Sequence, residues 1–126
     1  MAKAGPQIIK NIQKEKLIFP LPAKAELGLE EGKKAYKIML LIRRFEEKVA
    51  QLYTMGAIGG FCHLYIGQEA VITGNVLAAG SADQFITSYR EHGHVLALGV
   101  APKLIMAELA GRSGGLCKGR GGSMHL

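Results

Sequence analysis

Ala35, Ile38, Ile42, Phe45, Val49 and Leu52 recur at spacings of three and four, which gives the chain one long apolar stripe that has to be covered. That period belongs to an α-helix, so the segment from Leu29 onward is predicted to be an amphipathic helix. Whatever else the chain forms must supply the surface beneath it. Arg43 and Glu47 stand four apart and are expected to pair on the solvent side, an effect of about 0.2–0.5 kcal/mol. Gly56, Gly59 and Gly60 end the helix and open a loop through Phe61, Cys62, His63, Leu64 and Tyr65.

After the loop, Gln68 to Ala79 is rich in alanine and apolar residues with Gly74 inside, and is predicted to be a buried helix packed closely on a neighbour. Ser81 and Asp83 punctuate the run Gln84 to Ser88, whose Phe85, Ile86 and Thr87 favour a buried strand. Tyr89 and Arg90 would then stand at the strand's carboxyl end, where α/β folds gather ligands. Glu91 to Leu98 starts a further helix. Pro102 suits the first position of another, through Leu104, Ile105, Ala107 and Glu108, with Gly111 as its left-handed stop. Six glycines between 111 and 122 make the rest one long glycine loop. Residues 1–28, with Pro6, Pro20 and Pro22, read as an extended arm with at most a short helix near Ile8 to Ile12.

Composition narrows the classes. With 126 residues, 48% hydrophobic and 21% charged, the chain can bury the core of one domain. No stretch approaches the roughly 18 apolar residues of a membrane span, so no membrane is expected. The lysine-rich start lacks the apolar block of a secretory signal. The first arginine is Arg43 and the first serine Ser81, unlike a transit peptide, so a bacterial-type cytoplasm is expected, with the mitochondrial matrix as the alternative. Cys62 and Cys117 form neither a disulfide framework nor a Cys-x-x-Cys pair, and read as reduced thiols. The net charge of +6 rests on seven lysines within the first 34 residues, where Phe19 is the sole aromatic; that pattern is a solvated arm and not a nucleic-acid surface.

Three groups carry chemistry. The loop from Arg112 to His125 combines bare backbone with Arg112, Lys118 and Arg120, the ingredients of a phosphate site. It has neither P-loop nor dinucleotide spacing, and an interface loop would look the same. His63, in an otherwise apolar loop, can move protons near neutral pH, although a lone histidine is more often a satisfied structural residue. Tyr89 and Arg90 together offer a phenol and a guanidinium suited to phosphate, unless Arg90 pairs with Glu69 or Glu91. His92 and His94 read as capping or solvent-exposed residues. No spacing of histidines and cysteines points to a metal.

Five linked segments carry a family resemblance: Gly60-Phe61-Cys62-His63-Leu64; Gly67-Gln68-Glu69-Ala70; Ile86 to Gly93 (ITSYREHG); Met106-Ala107-Glu108-Leu109; and Lys118 to His125 (KGRGGSMH). In order and spacing they resemble the alpha subunits of thiamine-diphosphate-dependent 2-oxo acid dehydrogenases. Tyr89 favours the pyruvate type over the acetoin type, and the Cys62-His63 pair with Gly119 to Ser123 disfavours the branched-chain type. The resemblance runs from Leu29 to Leu126 and leaves the arm uncovered.

The resemblance implies an α/β thiamine-diphosphate-binding fold, of which residues 29–126 would be the helix-rich N-terminal part with the first parallel strand. It implies thiamine diphosphate held at the interface with a beta subunit in an α2β2 heterotetramer, decarboxylation of pyruvate, and transfer of the acetyl group to a lipoyl acyltransferase core. Tyr89 and Arg90 would bind the cofactor near its diphosphate and border the substrate, His63 would face the reacting carbon, and Gly121 to His125 would line the interface. The Gly-Asp-Gly and later Asn with which such subunits hold magnesium do not occur before Leu126. The expectation is therefore a fragment, inactive alone, whose magnesium is held by another part of the subunit. The alternatives are an acetoin-type subunit and a segment that only binds the beta subunit.

Overall fold

The computed structural model describes residues 26–126, and in it the apolar stripe forms the predicted helix, α1 (Leu29–Thr54). Its start is closed by Glu31, whose carboxylate accepts the Gly28 N–H at 3.1 Å, and Glu30 and Glu31 place negative charge on the positive end of the helix dipole. At its other end the Gly56 N–H reaches the Tyr53 carbonyl and the Ala57 N–H the Leu52 carbonyl, with Gly56 at φ 75°. This closure needs a left-handed residue, which glycine adopts without a Cβ penalty.

Three shorter helices follow: α2 (Glu69–Ala78), α3 (His92–Ala97) and α4 (Pro102–Leu109). Pro102 takes the first helical position, where its missing N–H costs nothing, and Gly111 at φ 64° ends α4 as expected. α1 packs on α2 and α3, α2 packs on α3, and α3 touches α4. Ile42, Phe45 and Val49 of α1 meet Ile58, Tyr65, Ile72, Leu96, Ile105 and Leu109 in one core, so the stripe is covered by short elements distant in sequence.

Several expectations are corrected. Gln84 to Ser88 is not a strand: no strand occurs among the described residues, no backbone hydrogen bond joins residues 84–90 to another described residue, and Ile86 is 100% exposed. A β-prone run becomes a strand only beside a ladder partner, and the described residues provide none. The helix-rich part of the expected fold is present; its first parallel strand is not. Arg43 does not pair with Glu47. It donates through Nε to Glu69 at 2.7 Å, while Arg44 takes Glu47 at 2.9 Å, because Arg43 turns toward α2 and Arg44 toward solvent. α2 buries Glu69, Ile72 and Thr73 against α1 and α3 but leaves Val71 exposed, and a side chain at Gly74 would meet nothing, so the close approach expected at Gly74 is absent among the described residues. The arm and its short helix near Ile8 to Ile12 lie outside the described residues except at their last three positions. None of the described helices is long and apolar enough to cross a membrane.

One close approach positions the site. A Cβ at Gly93 would stand 2.5 Å from the Tyr65 ring, and that ring is itself buried, with its edge against His94 at a centroid distance of 5.3 Å. Gly93→Ala should therefore destabilise the chain by about 1–3 kcal/mol, the usual cost of overpacking, read as a lower melting temperature. An unchanged melting temperature would mean that the ring yields freely.

Candidate functional site

The glycine loop after α4 is folded around a carboxylate of its own chain. Glu108, fully buried on the inner face of α4, accepts the N–H groups of Cys117 and Gly119 at 2.8 Å each and of Gly121 at 2.7 Å. Lys118 at φ 58° and Gly119 at φ 75° curl the loop so that the alternate amides of residues 117, 119 and 121 converge on it, an anion-binding concavity of backbone N–H groups. Burial pushes the Glu108 carboxyl upward, but N–H donors from Gly119, Gly121, Cys117 and Gly122 outweigh it and hold the group below the usual carboxylate range. The backbone expected to cradle a phosphate is thus already occupied, and the loop's cations Arg112, Lys118 and Arg120 point into solvent.

A second buried network lies beneath the loop's end. His92, with no exposed surface, is neither a cap nor a solvent residue, as had been expected. Its Nδ1 lies 2.9 Å from Glu46 Oε1 and its Nε2 lies 3.0 Å from the Ser123 carbonyl. With Glu46 as a carboxylate both partners accept, so both ring nitrogens donate and His92 is the imidazolium. Burial opposes the charge, yet the hydrogen bond and charge of Glu46, with the Ser123 carbonyl and Glu91, raise the His92 pKa above its ordinary value. From the same residue, the Ser123 hydroxyl donates to the Phe61 carbonyl.

That last bond ties the loop to the segment carrying His63. The Phe61 ring lies parallel to the His63 imidazole at 6.4 Å, and the imidazole lies 4.9 Å from the Tyr89 ring, centroid to centroid. Arg90 follows at φ 66°, a left-handed conformation unusual for a side-chain residue, and places its Cζ 5.4 Å from the Tyr89 ring centre. Its Nε is buried and has no partner among the described residues. Arg90 forms no ion pair with Glu69 or Glu91 among the described residues: Glu69 is taken by Arg43, and Glu91, whose Oε1 accepts the Leu126 N–H at 3.2 Å, keeps a buried Oε2 that is likewise without a partner. Beside Tyr89 opens a cavity of about 470 Å³ lined by Thr87, Ser88, Glu91, Met124, His125 and Leu126. The three candidate residues read from sequence, His63, Tyr89 and Arg90, thus meet in one place. Among the described residues no three His, Cys, Asp or Glu side chains cluster as a metal site would require.

Sequence reasoning missed Glu46, His92, Ser123 and Glu108. Two had a signal: Glu46 lies four residues after Ile42 and three before Val49, and Glu108 three after Ile105, so each is a carboxylate on an apolar helical face. Burial pushes the Cys62 thiol up, with Glu46 adding to it, in keeping with an unreactive reduced thiol.

The pKa shifts set a pH dependence. His92 holds its proton more tightly folded than unfolded, so its stabilisation is complete below the unfolded value of about 6.5 and is lost as pH rises through the higher folded value. Glu69, lowered first by its hydrogen bond to Arg43, contributes fully above its unfolded value of about 4.3 and loses that contribution as pH falls through the lower folded value. Urea midpoints should therefore fall on the alkaline side of about pH 6.5 and again in acid, and His92→Asn should flatten the alkaline fall. A midpoint that rises between about pH 6.5 and 9 would contradict the imidazolium.

Residues 37–126 match the family described as the dehydrogenase E1 component, and the chain belongs to that family. Among curated proteins it is 65% identical over 102 residues to the pyruvate dehydrogenase E1 component subunit alpha of Rhizobium meliloti (strain 1021), covering 81% of this chain and 29% of that protein. It is 58% identical over 105 residues to the protein of the same name from Rickettsia typhi (strain ATCC VR-144 / Wilmington), covering 83% and 32%. To the mitochondrial subunit of Sminthopsis macroura it is 48% identical over 118 residues, covering 94% and 32%. The chain thus spans about 30% of the length of these relatives.

Proposed function

We propose that this chain is alpha-subunit sequence of a pyruvate dehydrogenase E1 component, one that decarboxylates pyruvate with thiamine diphosphate and passes the acetyl group to a lipoyl group of an acyltransferase core. The observation that carries the proposal is the meeting of His63, Tyr89 and Arg90, with the buried Arg90 Nε left without a partner among the described residues. A guanidinium donor held out of water and unpaired is costly unless an anion completes it, and a diphosphate is such an anion. The residues present therefore fit the cofactor's anionic end.

On this reading Arg90 and Tyr89 hold the diphosphate side. Their bond to it fixes where the reacting end of the cofactor comes to rest. When bound, the cofactor supplies a nucleophilic thiazolium carbon and an electron sink for the pair left when carbon dioxide departs. His63 gives or takes a proton through a ring nitrogen beside that site, with Phe61 and Tyr89 limiting its rotation. Magnesium would be held by a part of the subunit outside this chain. A beta subunit would close the site in an α2β2 assembly.

The test is calorimetry and lipoamide-linked turnover on a full subunit carrying these residues, assembled with its beta partner. Arg90→Ala should weaken thiamine diphosphate binding by about ten- to a hundredfold, the loss of one charge-assisted hydrogen bond of about 1.5–3 kcal/mol. Unchanged affinity would remove Arg90 from the site and the proposal's main support with it.

A further inference from the structure

We propose that Ser123 is a positioning residue for His63, held from beneath by the buried Glu46–His92 pair. The inference deepens the proposed function and rests on its reading of His63.

The segment Phe61 to Leu64 belongs to no helix, and it contributes to none of the loop, turn and cap backbone hydrogen bonds among the described residues. Something else must fix the imidazole against Tyr89. The Ser123 hydroxyl is a donor of the right kind: it grips the Phe61 carbonyl, two residues before His63, from a residue that is itself only 3% exposed. The serine is in turn anchored, because its own carbonyl accepts from His92 Nε2 at 3.0 Å and the opposite ring nitrogen is held on Glu46 of α1 at 2.9 Å. Both groups of that pair are fully buried, and α1 is the longest element of the described fold. Ser123 thus connects the buried Glu46–His92 pair on α1 to the segment that carries His63. Its other flank is fixed independently, since Gly121 two residues earlier is hydrogen-bonded to Glu108.

A hydroxyl used only for packing would be replaceable by any small group. One that orients His63 is not, because without it the Phe61 carbonyl loses its donor and the segment gains freedom.

The experiment uses the assembled alpha–beta enzyme with thiamine diphosphate and compares His63→Ala, Ser123→Ala, Ser123→Thr and the double variant His63→Ala/Ser123→Ala. Ser123→Ala is expected to lower kcat by about tenfold or more with cofactor affinity and KM nearly unchanged, and Ser123→Thr, which keeps the donor, to recover most of it. The double variant should be no slower than His63→Ala alone, because the serine acts through the imidazole. If Ser123→Ala turns over normally while His63→Ala does not, the positioning role is overturned and the reading of His63 stands. If the double variant falls by the product of the two single losses, Ser123 acts elsewhere and the inference is equally overturned. Normal turnover in His63→Ala would overturn both. Should Ser123→Ala fail to assemble, Ser123→Cys, a weaker donor of similar size, carries the same expectations, with an intermediate loss in kcat.

Discussion

On the proposed function, His63→Ala in the assembled enzyme is expected to lower turnover by about a hundredfold or more and to leave thiamine diphosphate affinity nearly unchanged, the pattern of a group that acts in proton transfer. The expectation follows from where the imidazole stands. It packs against Tyr89 at 4.9 Å beside a guanidinium whose Nε is unpaired among the described residues, and none of those residues binds the ring through a hydrogen bond that would give it a purely structural task. A structural histidine would behave in the opposite way, with a lower melting temperature and a modest kinetic change. Turnover, cofactor affinity and melting temperature measured on one variant separate the two. Normal turnover would take His63 out of the site.

His92→Ala should be the most damaging change to stability among the residues discussed. Removing the ring leaves Glu46 in a pocket with no exposed surface and the Ser123 carbonyl without its donor. Breaking one side of a buried pair costs about 3–5 kcal/mol, chiefly from the charge left behind. A drop in melting temperature of more than about 10 °C should follow in a chain of this size. The double replacement Glu46→Leu with His92→Phe removes both charges and should recover a large part of the loss, because apolar residues of similar volume carry no desolvation cost. A double variant as unstable as His92→Ala would show that the Ser123 contact, and not the stranded carboxylate, dominates.

The Glu108 network also shows why glycines and cations alone left the loop from Arg112 to His125 open between a phosphate site and an interface loop. Glycine density and positive charge describe a backbone able to turn its amides inward, but they do not say onto what. The anion is Glu108, only a few residues upstream, brought there by α4.

Some of this protein was legible in the linear chain. The 3.6-residue period of Ala35 to Leu52 specifies α1 and its buried face, Pro102 and Gly111 bracket α4, and Gly56 ends α1, because each depends on local backbone geometry and side-chain spacing alone. His63, Tyr89 and Arg90 could be named as candidates from their chemistry and the short motifs around them, and the fold brings the three together. Three things needed tertiary structure. A β-prone run such as Gln84 to Ser88 becomes a strand only with a hydrogen-bonded neighbour, and its Ile86 is instead fully exposed. Arg43 could choose between Glu47 on its own helix and Glu69 on the next, and packing of α1 on α2 decided for Glu69. The meeting of Glu46, His92 and Ser123 spans most of the described chain, and buried polar groups find partners by spatial proximity that no local pattern encodes.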